Sequence, residues 1–258
     1  MTSRPSPQPC PRRGEEAERS DAGEGSQKAG VARCGFVVAA CGLAIEARIA
    51  EGPNVRSVAG GVDASRLANE LACEVARGAK AIISFGIAGG LAPGLAPGEW
   101  IVARGVVISG SFRRCDDRWT ARLSAKLPGA RYGDLACADA PLVRVAAKQA
   151  LYKETLALAV DSESHVAAEV ARTHGLPFAA LRVIADAAER DLPPAASVPM
   201  KAGGRVDIAA VLRSLVANPS QWPLLVRTAL DARIAFAVLR RGRRRLGDDL
   251  CAFDRDVL

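Results

Sequence analysis

Short uncharged runs rich in Val, Ile and Ala alternate along this chain with stretches whose apolar residues recur four apart, and few folds accept that alternation. The first run, GFVVAACGL from Gly35, is too brief for a helix and is bounded by glycines, so it reads as a buried strand. From Asp63 the spacing changes: Leu67, Leu71 and Val75 fall on one helical face, Asp63 can cap the start and Gly78 sits just past the end. Ala81 to Phe85 and Trp100 to Ile108 read as two strands separated by a Gly/Pro loop. Residues 157 to 185 repeat the logic, with a strand ending at Val160, a helix from Glu163 to His174 stopped by Gly175, and the strand PFAALRVIA. This order predicts an α/β domain with a parallel or mixed sheet flanked by helices. A chain of 258 residues is enough for one such core. Residues 31 to 258 are expected to form that domain, and residues 1 to 30, polar with cancelling charges, a disordered tail.

Composition narrows the function classes. Aromatic residues are only 4% of the chain, so aliphatic side chains and Ala must fill the core. Seven scattered cysteines without a C-x-x-C pair, and only two histidines, give no structural zinc site and fit thiols in a reducing compartment. The N-terminus has no apolar run of the kind a signal peptide needs, and a cytoplasmic location is expected. The net charge of +7 is concentrated in Arg240, Arg241, Arg243, Arg244 and Arg245, after a helical stretch that starts at Trp222. Arg227, Asp231 and Arg233 interrupt that stretch, so it is no bilayer span. A basic cluster confined to one end, with few aromatics, does not point to nucleic acid.

Four places put polar groups where an α/β sheet presents ligands, at the ends of strands. Glu46, just past the first strand, is either a solvated helix residue or a carboxylate able to hold and deprotonate a water. In SFGIAGGLAPG, Gly86, Gly89 and Gly90 let a ligand approach the backbone, although a tight turn needs the same glycines. Glu163, in VDSESH, either complements a helix dipole or accepts hydrogen bonds from two vicinal hydroxyls; His165 beside it reads as structural. Asp186 ends an apolar strand, where it caps a turn or, once desolvated, serves as a proton donor.

Together these residues resemble the purine nucleoside phosphorylase and methylthioadenosine/adenosylhomocysteine nucleosidase superfamily. The likeness lies in the order of Glu46, SFGIAGGL with the following PGEWIV, VDSES and RVIAD, across about residues 35 to 200. Within it the chain looks most like the bacterial hopanoid-associated phosphorylases, through EARIA at Glu46, CADAP at Cys137 to Pro141, DSESH, LPPAA after Asp186 and the stretch WPLLVRTALDARIAF. The resemblance implies a three-layer α/β/α fold with a central mixed sheet, and cleavage of the purine–ribose bond of an adenosyl compound, with adenosylhopane as the implied substrate. It implies Asp186 as proton donor to the purine, Glu163 and Ser162 at the ribose, the backbone of Ala88 and Gly89 against the sugar, and Glu46 as the base that activates water. The alternatives are a methylthioadenosine-type nucleosidase and a non-catalytic nucleoside or lipid binder.

The chain departs from the family pattern in three places. Ser162 stands where the family usually has Met, Ala185 precedes Asp186 where many members have Ser, and Pro141 falls at the base-stacking aromatic of the nucleosidases. No cofactor is implied beyond water or inorganic phosphate as co-substrate. Retention of Glu46 favours water, since a carboxylate repels an entering phosphate dianion; Arg48 and Arg182 are the arginines available to a phosphate if one enters. A homo-oligomer is expected from related folds. A lipid substrate would bring the enzyme to a bilayer, with Arg240 to Arg245 as the peripheral contact.

Overall fold

In β1 (Phe36–Cys41) successive side chains enter opposite faces of the sheet: Val37, Ala39 and Cys41 join one apolar cluster, Val38 and Ala40 the other. Both faces are buried, which is why the run is uninterruptedly apolar. A computed structural model describes residues 35–61, 63–108, 110–193 and 221–253; the expected tail lies outside them. The chain continues through α1 (Ala44–Ala50), β2 (Val55–Ala59), α2 (Ala64–Ala76), β3 (Ala79–Gly90), β4 (Trp100–Ile108) and β5 (Ser111–Arg114). Then come α3 (Asp117–Lys126), β6 (Arg131–Cys137), α4 (Val145–Thr155), β7 (Ala159–Asp161), α5 (Ser164–Thr173), β8 (Phe178–Asp186) and α6 (Trp222–Arg243).

The sheet is mixed. β1 runs parallel to β2 and β3, β3 parallel to β8, and β6 parallel to β4 and β7, whereas β4–β5, β4–β8 and β3–β7 are antiparallel. Because β3 pairs with both β7 and β8, the strands β3, β8, β4, β6 and β7 close into a ring from which β1 and β2 extend. Helices cover both faces. Leu67 and Leu71 of α2 and Val166 and Val170 of α5 pack on one; Ala50 of α1, Trp119 and Leu123 of α3, and Ala235 and Leu239 of α6 pack on the other. The three-layer arrangement expected from the sequence is present.

α2 starts where the sequence said it would, with Asp63 accepting the Arg66 N–H at 2.9 Å. The glycine-rich segment differs from expectation: Gly86, Gly89 and Gly90 are not a loop but the second half of β3. Cys41 and Cys115 are buried thiols as expected, but Cys73 is disulfide-bonded, which corrects the reading of all the cysteines as thiols. Arg243 also departs from the exposed basic cluster. It turns inward, donating to the carbonyls of Ala50 at 2.8 Å and Gly247, and ties the end of α6 to α1. Among the described residues no helix is long and apolar enough to cross a membrane.

Candidate active site

The ends of β1, β3, β7 and β8 bring acidic side chains to one cleft of about 730 Å3, part of it continuous with solvent. Glu46, Ala88, Gly89, Ser162, Glu163 and Asp186, the six residues singled out in the sequence, all line it. Glycines make this packing possible by leaving out side chains where carboxylates sit. A Cβ on Gly42 would stand 2.6 Å from Oε1 of Glu163 and one on Gly86 would collide with Oε1 of Glu46, whereas one on Gly89 would make only ordinary contact with Asp186, at 3.4 Å.

Glu46 sits in the first turn of α1 and is buried. Its Oε2 accepts the N–H groups of Gly42 at 2.9 Å and Leu43 at 2.7 Å, and its Oε1 accepts that of Ile87 at 2.7 Å. Burial raises its pKa, with Arg182 and the three backbone donors opposing. The bland reading of Glu46 as a solvated helix residue is therefore wrong.

Glu163 precedes α5, where the hydroxyl of Ser162 donates to its Oε1 at 2.9 Å and Arg182 to its Oε2 at 3.3 Å. Burial pushes its pKa up to about 7; Arg182 opposes, while Asp161 and Glu46 add to the rise.

Arg182, entirely buried in β8, is the hub of this end. It pairs with Asp161 at 2.7 Å and donates to Ser84 at 2.5 Å, and its Nη1 is buried without a hydrogen-bond partner. That free donor would stand 2.6 Å from a Cβ on Gly86, in the same gap that Oε1 of Glu46 faces. Arg182 is not free to take a phosphate, because its charge is already shared among Asp161, Glu163 and Glu46. Arg48 is exposed and does not line the cleft.

Asp186 ends β8, and burial raises its pKa against the opposition of Lys148. Its Oδ2 accepts Nζ of Lys148, which also donates to the carbonyls of Ala187 at 2.9 Å and Arg190 at 3.0 Å. Lys148 and Asp161 were not singled out in the sequence. Lys148 had one signal: it falls at i+3 from Val145 and i−4 from Tyr152, on the apolar side of α4. Pro141 does line the cleft, and among the described residues no aromatic side chain does. His165 lies outside the cleft, its Nδ1 buried and unpartnered, next to a smaller cavity bounded by Gly61, Asp139 and Ser162.

Residues 31–217 match the model of the family described as the phosphorylase superfamily. No curated protein matches the chain in sequence. Among solved structures, S-adenosylhomocysteine nucleosidase from Streptococcus pyogenes, in complex with 5-methylthiotubericidin, is similar at TM-score 0.53 and 17% identity, over 82% of this chain and 99% of that one. The 5'-methylthioadenosine/S-adenosylhomocysteine nucleosidase of Helicobacter pylori is similar at 0.56 and 15%, over 83% and 100%. Futalosine hydrolase from Helicobacter pylori is similar at 0.54 and 16%, over 81% and 97%. At such identities the likeness speaks for the fold.

Proposed function

The chain belongs to the phosphorylase superfamily, and from that premise we propose that it hydrolyses the N-glycosidic bond of an adenosyl compound and releases adenine. The observation that carries this reading is the meeting of Glu163, Asp186 and Glu46 in the lining of one cleft. Glu163 holds the ribose hydroxyls, and the backbone of Ala88 and Gly89 lies against the sugar. As the bond to the base lengthens, Asp186 gives its proton to the purine, so the leaving group departs neutral. Glu46 takes a proton from a water in the cleft, and that water attacks the anomeric carbon. Water is favoured over phosphate because Glu46, Asp161 and Glu163 surround the one buried guanidinium, and a dianion entering there meets net negative charge.

The substrate proposed is a lipid-linked adenosyl compound of the adenosylhopane type. The outward face of α6 supports it: Trp222, Val226, Leu230 and Ile234 are exposed at four-residue spacing, and Arg227, Arg233, Arg240 and Arg241 are exposed with them. Apolar side chains flanked by arginines suit the surface of an anionic bilayer, where each basic residue adds about 1 kcal/mol. Arg244 and Arg245 extend this surface; Arg243 does not. Assembly into a homo-oligomer and a cytoplasmic location remain part of the proposal. A non-catalytic binder is the second reading, favoured by the ion pair that already occupies Asp186.

One experiment separates these readings. Purified protein is given an adenosyl lipid in anionic vesicles, or methylthioadenosine in solution, with and without phosphate, and the products are identified. Free adenine and a ribosyl product without phosphate, lost by about 1000-fold in Asp186→Asn, are expected. A strict phosphate requirement overturns the role of Glu46, preference for methylthioadenosine overturns the lipid, and absence of adenine overturns catalysis.

A further inference from the structure

A lysine enters a protein interior only where its charge is fully satisfied, because desolvating an ammonium costs several kcal/mol. Lys148 is the only buried residue of α4, a helix whose apolar side chains stay partly exposed. The helix therefore buries its one costly group in place of a hydrophobic one. All three ammonium hydrogens find acceptors, on Asp186 Oδ2 and on the carbonyls of Ala187 and Arg190, a set that matches the charged form. Asp186 lines the cleft, and Oδ1 is the oxygen that Lys148 does not hold. The two oxygens thus have separate tasks.

We propose that Lys148 is a positioning residue for the reaction: it anchors Oδ2 so that Oδ1 faces the departing base, and its ammonium receives the carboxylate that Asp186 becomes. The proposal rests on the adenine-releasing reading given above. In the step itself the glycosidic electron pair passes to the purine, the Oδ1–H bond breaks and a purine N–H bond forms. Asp186 is left as an anion in a partly buried site, and Lys148 is the cation already in place beside it. Burial alone would make Asp186 a reluctant donor, because its conjugate base would stand unpaired; Lys148 pulls against that. Ala185, the residue before Asp186, offers the carboxyl no hydroxyl, and the ammonium is its partner. The other charged groups near Asp186 neutralise each other: Arg190 pairs with Asp231 of α6 at 2.6 Å. Glu189 is engaged by the Gly94 N–H at 2.8 Å, and Asp191 by the Val145 N–H at 2.7 Å.

The test is the pH profile of adenine release by Lys148→Met and Lys148→Arg, with the folded fraction of each followed by circular dichroism. In Lys148→Met, kcat per folded molecule falls about 100-fold, KM changes little, and the alkaline limb moves up by at least about one pH unit. Lys148→Arg keeps the charge and brings the limb back towards the wild-type position. If the methionine variant does not fold, Lys148→Ala in ethylammonium replaces it, with recovery of kcat at saturating amine expected. A limb that stays in place, or activity that tracks only the folded fraction, makes Lys148 a structural tie and overturns the proposal. Failure of the wild-type chain to release adenine defeats the underlying reading instead, so the two failures are distinguishable.

Discussion

The two ends of the cleft solve the problem of buried charge in opposite ways. At the ribose end one guanidinium, Arg182, serves Asp161, Glu163 and Glu46, and backbone N–H groups and serine hydroxyls make up the shortfall. At the base end one ammonium, Lys148, serves one carboxylate, Asp186. The first arrangement leaves net negative charge and an unused donor, which suits hydroxyls and water. The second becomes balanced once Asp186 gives up its proton, so that proton can leave without stranding an unpaired anion. Chemistry at each end follows from the ratio of cations to carboxylates.

Removing the shared cation should have the largest effect. Arg182→Met strands three acidic groups in a dry site, and about 3 to 5 kcal/mol of stability should be lost in urea unfolding at pH 7.5. A loss no larger than that of Lys148→Met would erase the contrast between the ends. Next comes pH. Glu163 ionises at about 7 in the folded chain against 4.5 for the free group, so the folded state holds the extra proton between those values. Stability is therefore greatest below pH 4.5 for this group and declines as pH rises towards 7. Glu163→Gln should remove about 3 kcal/mol of that decline, read as a flatter plot of unfolding free energy against pH. The smallest effect is expected from Ser162→Ala, which deletes one donor to Glu163. It should cost about 1 kcal/mol at pH 8 and almost nothing at pH 4.5, and an equal cost at both pH values would mean that the hydroxyl acts on packing alone.

Periodicity made much of the fold legible. β1, α2, β4, β7, α5 and β8 lie where the apolar spacing put them, because a strand buried on two faces and a helix buried on one leave different patterns. β3 was read too short. Half of its second half, Phe85–Gly90, is glycine, and glycines carry no apolar signature; Gly86 is needed because the Glu46 carboxylate is pressed against it, and Gly90 because the backbone of Asp186 is. The site was legible through motif order at Glu46, Glu163 and Asp186. Lys148 and Asp161 were not, since a lysine in a helix and an aspartate beside a glutamate look like ordinary surface groups until something is packed over them. Arg243 shows the same limit in reverse: it read as part of an exposed basic cluster and instead binds the carbonyls that end α1.

By itself the sequence determined the layers, the strand ends and three of the four acids that reach the cleft, because local spacing fixes which side of a strand or helix a residue occupies. Tertiary structure alone decided which cation meets which acid and how many acids each must serve. Arg182 is separated from Glu46 by most of the described domain, and Lys148 from Asp186 by a helix and two strands. Coulomb energy in a buried site depends on distance through space, and sequence separation does not report it.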